Sequence, residues 1–189
     1  MKGGTSGAGS YDNLATFKAD VINQFVRENG VCDVIEFGCG DGNQLELAGY
    51  KSYVGFDVSN KVIEICRERF RHDTSKSFKL IDAYTNETAD LAMSLDVIYH
   101  LVEDDVFDAY MHRLFRSAKR FVIIYSSNDE ALNEEHHARH VRHRKFTDWI
   151  ANNESEWMLA KHLPNKYPFD KFNQQNTSFA DFYFFSKKS

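Results

Sequence analysis

The chain has 189 residues, of which 42% are hydrophobic and 14% aromatic, with only two prolines and ten glycines. That length corresponds to one domain whose core needs no disulfide or metal, and the composition argues against disorder. The formal net charge of −5 argues against a protein bound mainly through nucleic-acid phosphates, and no apolar run reaches a membrane-spanning length.

Residues 1–10 are rich in glycine and serine and predict no regular element. They read either as a loose terminus or as a flap over a ligand, with Ser10 and Tyr11 at its hinge. Asp12 caps a helix predicted to run to about Asn29, with Leu14, Phe17, Val21 and Phe25 as its apolar stripe and Gly30 as its stop. Asp33 to Phe37 is a predicted buried strand that leads into Gly38-Cys39-Gly40-Asp41-Gly42. Leu45 and Leu47 belong to a short helix, and Tyr53 to Phe56 form the second strand. Ser59 caps an amphipathic helix with Val62, Ile63, Cys66 and Phe70 inside.

Phe78 to Ile81 is the third strand, ending at Asp82-Ala83. Leu91 to Leu95 is the fourth, followed by a loop from Asp96 to Leu101. Glu103, Asp104 and Asp105 open the next helix, where its dipole favours acids, and Phe107, Tyr110, Met111 and Leu114 form its buried stripe. Phe121 to Tyr125 is an unbroken apolar run, as a central parallel strand covered on both faces requires. Strand and helix alternating in this way predict an α/β fold, a doubly wound and mostly parallel sheet with right-handed crossovers.

From Ser127 to Arg144 the chain turns polar and histidine-rich, and Phe146, Trp149 and Ile150 then mark one helix face. Trp157 to Leu163 and Phe179 to Phe185 are aromatic, β-prone segments that predict a terminal antiparallel pair. Cys32, Cys39 and Cys66 are odd in number and lack metal-type spacing. The N-terminus has no signal-peptide core, so reduced thiols in a cytoplasm are expected.

Glu36-Phe37-Gly38-Cys39-Gly40-Asp41-Gly42 carries the functional argument. Glycines at alternate positions after a buried strand allow a tight turn and close contact with a ligand. The dinucleotide fingerprint would need glycine at position 43, where Asn43 stands. An acid ahead of such a loop suits a cationic, phosphate-free ligand. One helix and one strand later comes Asp57, whose carboxylate can accept two hydrogen bonds from a ribose diol. The competing reading of Asp57 is a helix-capping acid.

On Glu36, Gly38, Gly40, Gly42 and Asp57 the chain resembles the class I S-adenosylmethionine-dependent methyltransferases, along nearly its whole length. The resemblance implies one domain over 1–189, with a flap at 1–11, a cofactor-binding core at 12–128 and a substrate-side segment with the terminal strand pair at 129–189. It implies seven strands with an antiparallel strand at the C-terminal edge. The glycine loop, Cys39 included, would wrap the methionine end of S-adenosylmethionine, with Glu36 near its ammonium group and Asp57 on its ribose. Asp82 and Ala83 would lie beside the adenine with Val58 packed on it, the competing reading of Asp82 being an ordinary turn aspartate, and Asp96 and Tyr11 would also face the cofactor.

In the loop after the fourth strand, His100 is the candidate general base, with Asp96 to orient it and Tyr99 to line the acceptor pocket. A capping or core role is the alternative for His100. His136 and His140 are spaced to share a helix face, as a metal pair would be. However, Glu134 and Glu135 complete no ligand set, and the surrounding arginines and lysine repel a cation, so no metal is expected. Arg139, Arg142 and Arg144 are instead expected to grip a phosphate or carboxylate of the acceptor, unless the segment is simply a solvated turn.

The expected activity is methyl transfer to a small, anionic acceptor, oxygen ahead of nitrogen, releasing S-adenosylhomocysteine, with no nucleic-acid or membrane partner. The Asn/Asp-Pro-Pro-aromatic motif of enzymes that methylate nucleic-acid amino groups is missing, and Asp96-Val97-Ile98-Tyr99 occupies its place. A module that binds the cofactor without turnover is the alternative from another class. A nicotinamide oxidoreductase is disfavoured by Asn43.

Overall fold

The computed structural model describes residues 12–135 and 140–188. Helix α1 (Asp12–Glu28) ends at Gly30, whose positive φ of 59° lets Val31 N–H return to the Val26 carbonyl at 3.0 Å. Strand β1 (Asp33–Phe37) runs into the glycine loop and a 3₁₀ turn (Gln44–Leu47). Then follow β2 (Ser52–Asp57), α2 (Asn60–Arg69), β3 (Lys76–Leu80) and a second 3₁₀ turn (Ile81–Ala83). Ser59 caps α2 as its sequence position suggests, its Oγ accepting from Val62 N–H.

Strand β4 (Ala89–Leu95) leads through a 3₁₀ turn (Ile98–His100) into α3 (Asp104–Arg116), and β5 (Ala118–Ser126) follows. The polar stretch beyond contains the single turn α4 (Leu132–Glu135), then α5 (Phe146–Asn153), β6 (Trp157–Leu163) and β7 (Asp181–Lys187).

The sheet order is β3-β2-β1-β4-β5-β7-β6, and β1 to β5 run parallel. Alternation along β1 sends Val34 towards Ile22 of α1 and Ile63 of α2, and Ile35 towards Met111 and Leu114 of α3. Both faces are therefore covered, as the apolar strands require. The chain leaves β1 in one direction through β2 and β3 and returns to β4 on the other side. That reversal opens a crevice at the carboxyl ends of β1 and β4.

The terminal pair adds to the far edge of the parallel strands, as expected, with the antiparallel strand β7 seated between β5 and β6. Its side chains explain why, because Phe182 to Phe185 are buried on both faces while β6 is exposed from Met158 to His162. One detail differs from expectation: the inner face of α1 is Leu14, Lys18, Ile22 and Val26, with Ala15 and Ala19. Phe17 and Phe25 lie on a second, half-buried stripe covered by β7, Phe17 against Phe182 and Phe25 against Phe184. Among the described residues no helix is long and apolar enough to cross a membrane, and no group of three or more potential ligands could hold a metal ion.

Candidate active site

The crevice is a cleft of about 990 Å³. On one side are the glycine loop and Asp57, Val58, Ile81, Asp82 and Tyr84. On the other are residues of the β4–α3 connection and of α3 itself, among them Asp96, His100 and Arg113.

Positive φ is required at Gly38 (87°), Gly40 (56°) and Gly42 (76°). A Cβ on Gly38 would lie 2.4 Å from Val97 Cγ2, so the two sides of the cleft approach closely only because that atom is absent. Gly42 plays a different part from the one expected. It does not line the cleft, and a Cβ there would meet the Phe70 ring at 2.8 Å and Cys66 Sγ at 3.2 Å. Its smallness lets α2 close on the loop.

The direction of the loop amides decides what the loop can hold. Gly38 N–H and Cys39 N–H both donate to the Phe56 carbonyl, at 2.7 and 3.1 Å. Gly40 N–H donates to Asp57 Oδ2 at 3.1 Å. These three donors are turned onto β2, so they offer nothing to a phosphate, unlike the amides of a dinucleotide loop. Asp57 Oδ1 accepts from Ser59 N–H at 3.0 Å, and each carboxylate oxygen retains a second acceptor position for a ligand.

Glu36 is buried at the inner end, where Tyr53 Oη donates to its Oε2 at 2.7 Å. Burial pushes its carboxyl up to about 7. The Tyr53 hydrogen bond and the Lys18 charge oppose that rise and the Asp57 charge adds to it. Gln44 projects from the 3₁₀ turn and is tied by its Nε2 to the Ala15 carbonyl at 3.0 Å. Its Oε1 is buried and has no hydrogen-bond donor among the described residues. A buried acid and an unpartnered acceptor together suit an ammonium group.

Across the cleft, Lys18 Nζ pairs with Asp96 Oδ2 at 2.8 Å, and Tyr99 Oη donates to Asp96 Oδ1 at 3.1 Å. Burial and the Asp96 charge hold the Tyr99 hydroxyl well above its ordinary range. Asp96 is therefore occupied by Lys18 and Tyr99 and does not orient His100, contrary to expectation. Tyr99 lies behind the wall and does not line the cleft. His100 does reach the cleft, and its Nδ1 faces the His140 carbonyl at 3.3 Å. A carbonyl can only accept, so Nδ1 carries the proton and Nε2 is the free base position.

Beneath the cleft, Phe37 and Phe56 stack at 5.5 Å and Tyr84 stands edge-on to both. Val58 is 82% exposed at the mouth, and Asp82 and Ala83 are exposed, with Asp82 on the cleft wall.

Arg142 and Arg144 are placed otherwise than expected. Arg144 donates to the carbonyls of Leu101 and Val102 and to Asp104, and stacks 4.5 Å from the Phe107 ring centre. Arg142 donates to the Val102 carbonyl at 3.0 Å and pairs with Asp104 at 2.8 Å. The two guanidiniums hold the Asp104 carboxyl below its usual range. They brace the β4–α3 connection, and neither lines the cleft. Tyr11, Arg139 and His136 lie outside the described residues.

Sequence reasoning missed Lys18, Gln44, Tyr84 and Arg113 among the lining residues. A signal for Lys18 was present, since it follows Leu14 and precedes Ile22 and Val26 at four-residue spacing.

A family model described as a methyltransferase domain matches residues 12–174. A comparison with curated proteins finds no match. Among solved structures, the methyltransferase domain of bacterial CtHen1-C aligns at 20% identity and TM-score 0.72, covering 94% of this chain and 100% of that one. Magnesium protoporphyrin IX methyltransferase from Synechocystis PCC 6803, solved with S-adenosylhomocysteine, aligns at 16% identity and TM-score 0.71, covering 92% and 83% of the two chains. N-methyltransferase NodS from Bradyrhizobium japonicum WM9, with the same ligand, aligns at 14% identity and TM-score 0.71, covering 92% and 86%.

Proposed function

The chain belongs to the methyltransferase-domain family, and from that premise we propose an enzyme that moves the methyl group of S-adenosylmethionine to a small acceptor deprotonated by His100. The observation that carries this reading is the direction of the loop amides: Gly38, Cys39 and Gly40 give their N–H groups to β2, opposite the buried Glu36. Such a site disfavours a pyrophosphate and favours a cation.

Glu36 and Gln44 Oε1, which has no donor among the described residues, would take the ammonium group, Asp57 the ribose hydroxyls, and Val58 with the exposed Asp82 and Ala83 the adenine. When bound, the cofactor supplies a methyl group on a sulfonium, whose sulfur accepts the bonding pair and leaves as a neutral thioether. The protein holds the acceptor atom in line at about 3 Å and excludes water from it. His100 accepts the acceptor's proton at Nε2, a step needed for an alcohol or a protonated amine. A cleft of about 990 Å³ leaves room for a small second molecule beside the cofactor. Arg142 and Arg144 are engaged elsewhere, so no described arginine of the histidine-rich run supports an anionic acceptor.

The test is calorimetry with S-adenosylhomocysteine against a nicotinamide dinucleotide, followed by turnover on an acceptor panel. Binding of the dinucleotide alone would overturn the reading, and cofactor binding without turnover on any acceptor would favour a binding module. Asp57→Ala is expected to weaken cofactor binding by roughly 1–3 kcal/mol. His100→Ala should keep cofactor affinity and lower turnover about 100-fold.

A further inference from the structure

Arg113 is a cation of the cleft that the proposed function leaves without a role. It stands half-buried on the α3 wall, and among the described residues its guanidinium makes no hydrogen bond and no ion pair. Its contact is with the Tyr84 ring, whose centre lies 5.8 Å from Cζ. The exposed acids of the same cleft, Asp82 and Asp105, do not pair with it. Arg142 and Arg144, by contrast, are tied to carbonyls and to Asp104. A guanidinium has five donors, and its charge is costly to bury even in part without an acceptor.

The surroundings of Arg113 fix what kind of molecule can use it. Asp105, Val106, Ala109 and Arg113 share one face of α3, four and eight residues being whole turns. Val106 is 47% exposed and Ala109 is exposed too, so an apolar strip leads to the cation. Across the cleft stand Ile81 and Tyr84. Tyr84 is fixed in place, with its Oη bonded to Ser117 Oγ at 2.7 Å and its ring edge-on to Phe37 and Phe56. That ring steadies the guanidinium and leaves its fork open to a carboxylate or phosphate. His100 precedes α3 and Arg113 lies more than two turns into it, so a molecule touching both needs a body of roughly 10 Å or more.

We propose that Arg113 seats a carboxylate or phosphate of the methyl acceptor, whose apolar body lies along Val106, Ala109 and the Tyr84 ring. This rests on the cofactor reading given above and names the acceptor class, a small molecule with an apolar middle and an anionic end. Arg113 stands away from the reacting atoms, so it determines specificity and takes no part in the transfer itself.

The test saturates the protein with S-adenosylhomocysteine and titrates it in calorimetry with benzoate, benzyl alcohol and benzylamine, which share one ring and differ in charge. Benzoate is expected to bind at least about 10-fold more tightly than the other two, the usual worth of a charged hydrogen bond. Arg113→Met should abolish that preference and Arg113→Lys should keep part of it, while both variants retain wild-type affinity for S-adenosylhomocysteine. Equal wild-type affinity for the three probes overturns the proposal, as does no binding of any of them or a preference that survives in Arg113→Met. A benzoate preference seen only without S-adenosylhomocysteine also overturns it, because the seat would then lie on the cofactor's own ground. If S-adenosylhomocysteine itself does not bind, the cofactor reading fails and the acceptor assignment with it, whereas a benzoate preference lost in Arg113→Met would still mark an anion seat.

Discussion

The two walls of the cleft are built in opposite ways. On the β1–β2 side the shaping contacts join residues close in sequence, 17 apart for both Gly40 with Asp57 and Tyr53 with Glu36. On the β4–α3 side they reach much further. Lys18 and Asp96 are 78 residues apart, and Arg144 grips Leu101 from 43 residues away. The first wall is one strand-loop-strand unit that folds with its own register. The second forms only when distant segments have docked on it, so its geometry depends on the stability of the whole domain.

The largest expected effect comes where the walls touch. Gly38→Ala forces a Cβ against Val97 Cγ2 at a φ of 87°. It should cost roughly 2–4 kcal/mol of stability in chemical denaturation and abolish cofactor binding. Near-normal binding would show that the walls separate without consequence.

Glu36→Gln sharpens the comparison through pH. In the fold Glu36 holds its proton up to about pH 7, against an ordinary value of 4.5. Between those values the folded state binds more proton than the unfolded chain, so this group's contribution to stability falls as pH rises through the window. Above pH 8 the buried carboxylate is at its most unfavourable, and Glu36→Gln should raise stability there by about 2 kcal/mol, with little change at pH 5. In the wild-type protein a ligand ammonium favours the ionised acid, so cofactor affinity should climb until about pH 7 and then level off. The variant should bind weakly with a flat profile across the same range. A wild-type affinity independent of pH would remove Glu36 from the ammonium site.

On the other wall, Arg144→Ala should cost roughly 1–3 kcal/mol, because its charged hydrogen bonds to two carbonyls are lost. Turnover should fall with it while cofactor affinity stays unchanged, since Arg144 touches the loop and not the cleft. Equal loss of cofactor affinity would show that both walls bind the cofactor. The smallest effect belongs to Arg142→Ala. Its side chain is 44% exposed and its partner Asp104 more so, and the melting temperature should move by no more than about 2 °C.

Much of the first wall was legible in the sequence. Glu36, the alternate glycines and Asp57 sit at the ends of adjacent strands, and strand length fixes their separation once β1 and β2 pair in register. Ser59 at the start of α2 was legible for the same reason, since a cap is a three-residue relation. Arg142 and Arg144 do not line the cleft, contrary to expectation, because a cluster of cations in sequence says nothing of which carbonyls will surround it. Here the carbonyls of Leu101 and Val102, ahead of α3, accept from Arg142 and Arg144. Gly42 was correctly a glycine for a conformational reason, but the atom it makes room for belongs to Phe70 and not to a ligand.

Alternating periodicity, turn residues and acids at strand ends are local quantities, so the chain alone specified five parallel strands, their connecting helices and the glycine loop between Glu36 and Asp57. Burial and charge pairing depend on distance through space. Only the folded molecule could place β7 inside β6, turn the Gly38 to Gly40 amides away from the cleft, set Lys18 against Asp96 and withdraw Arg142 and Arg144 from the ligand.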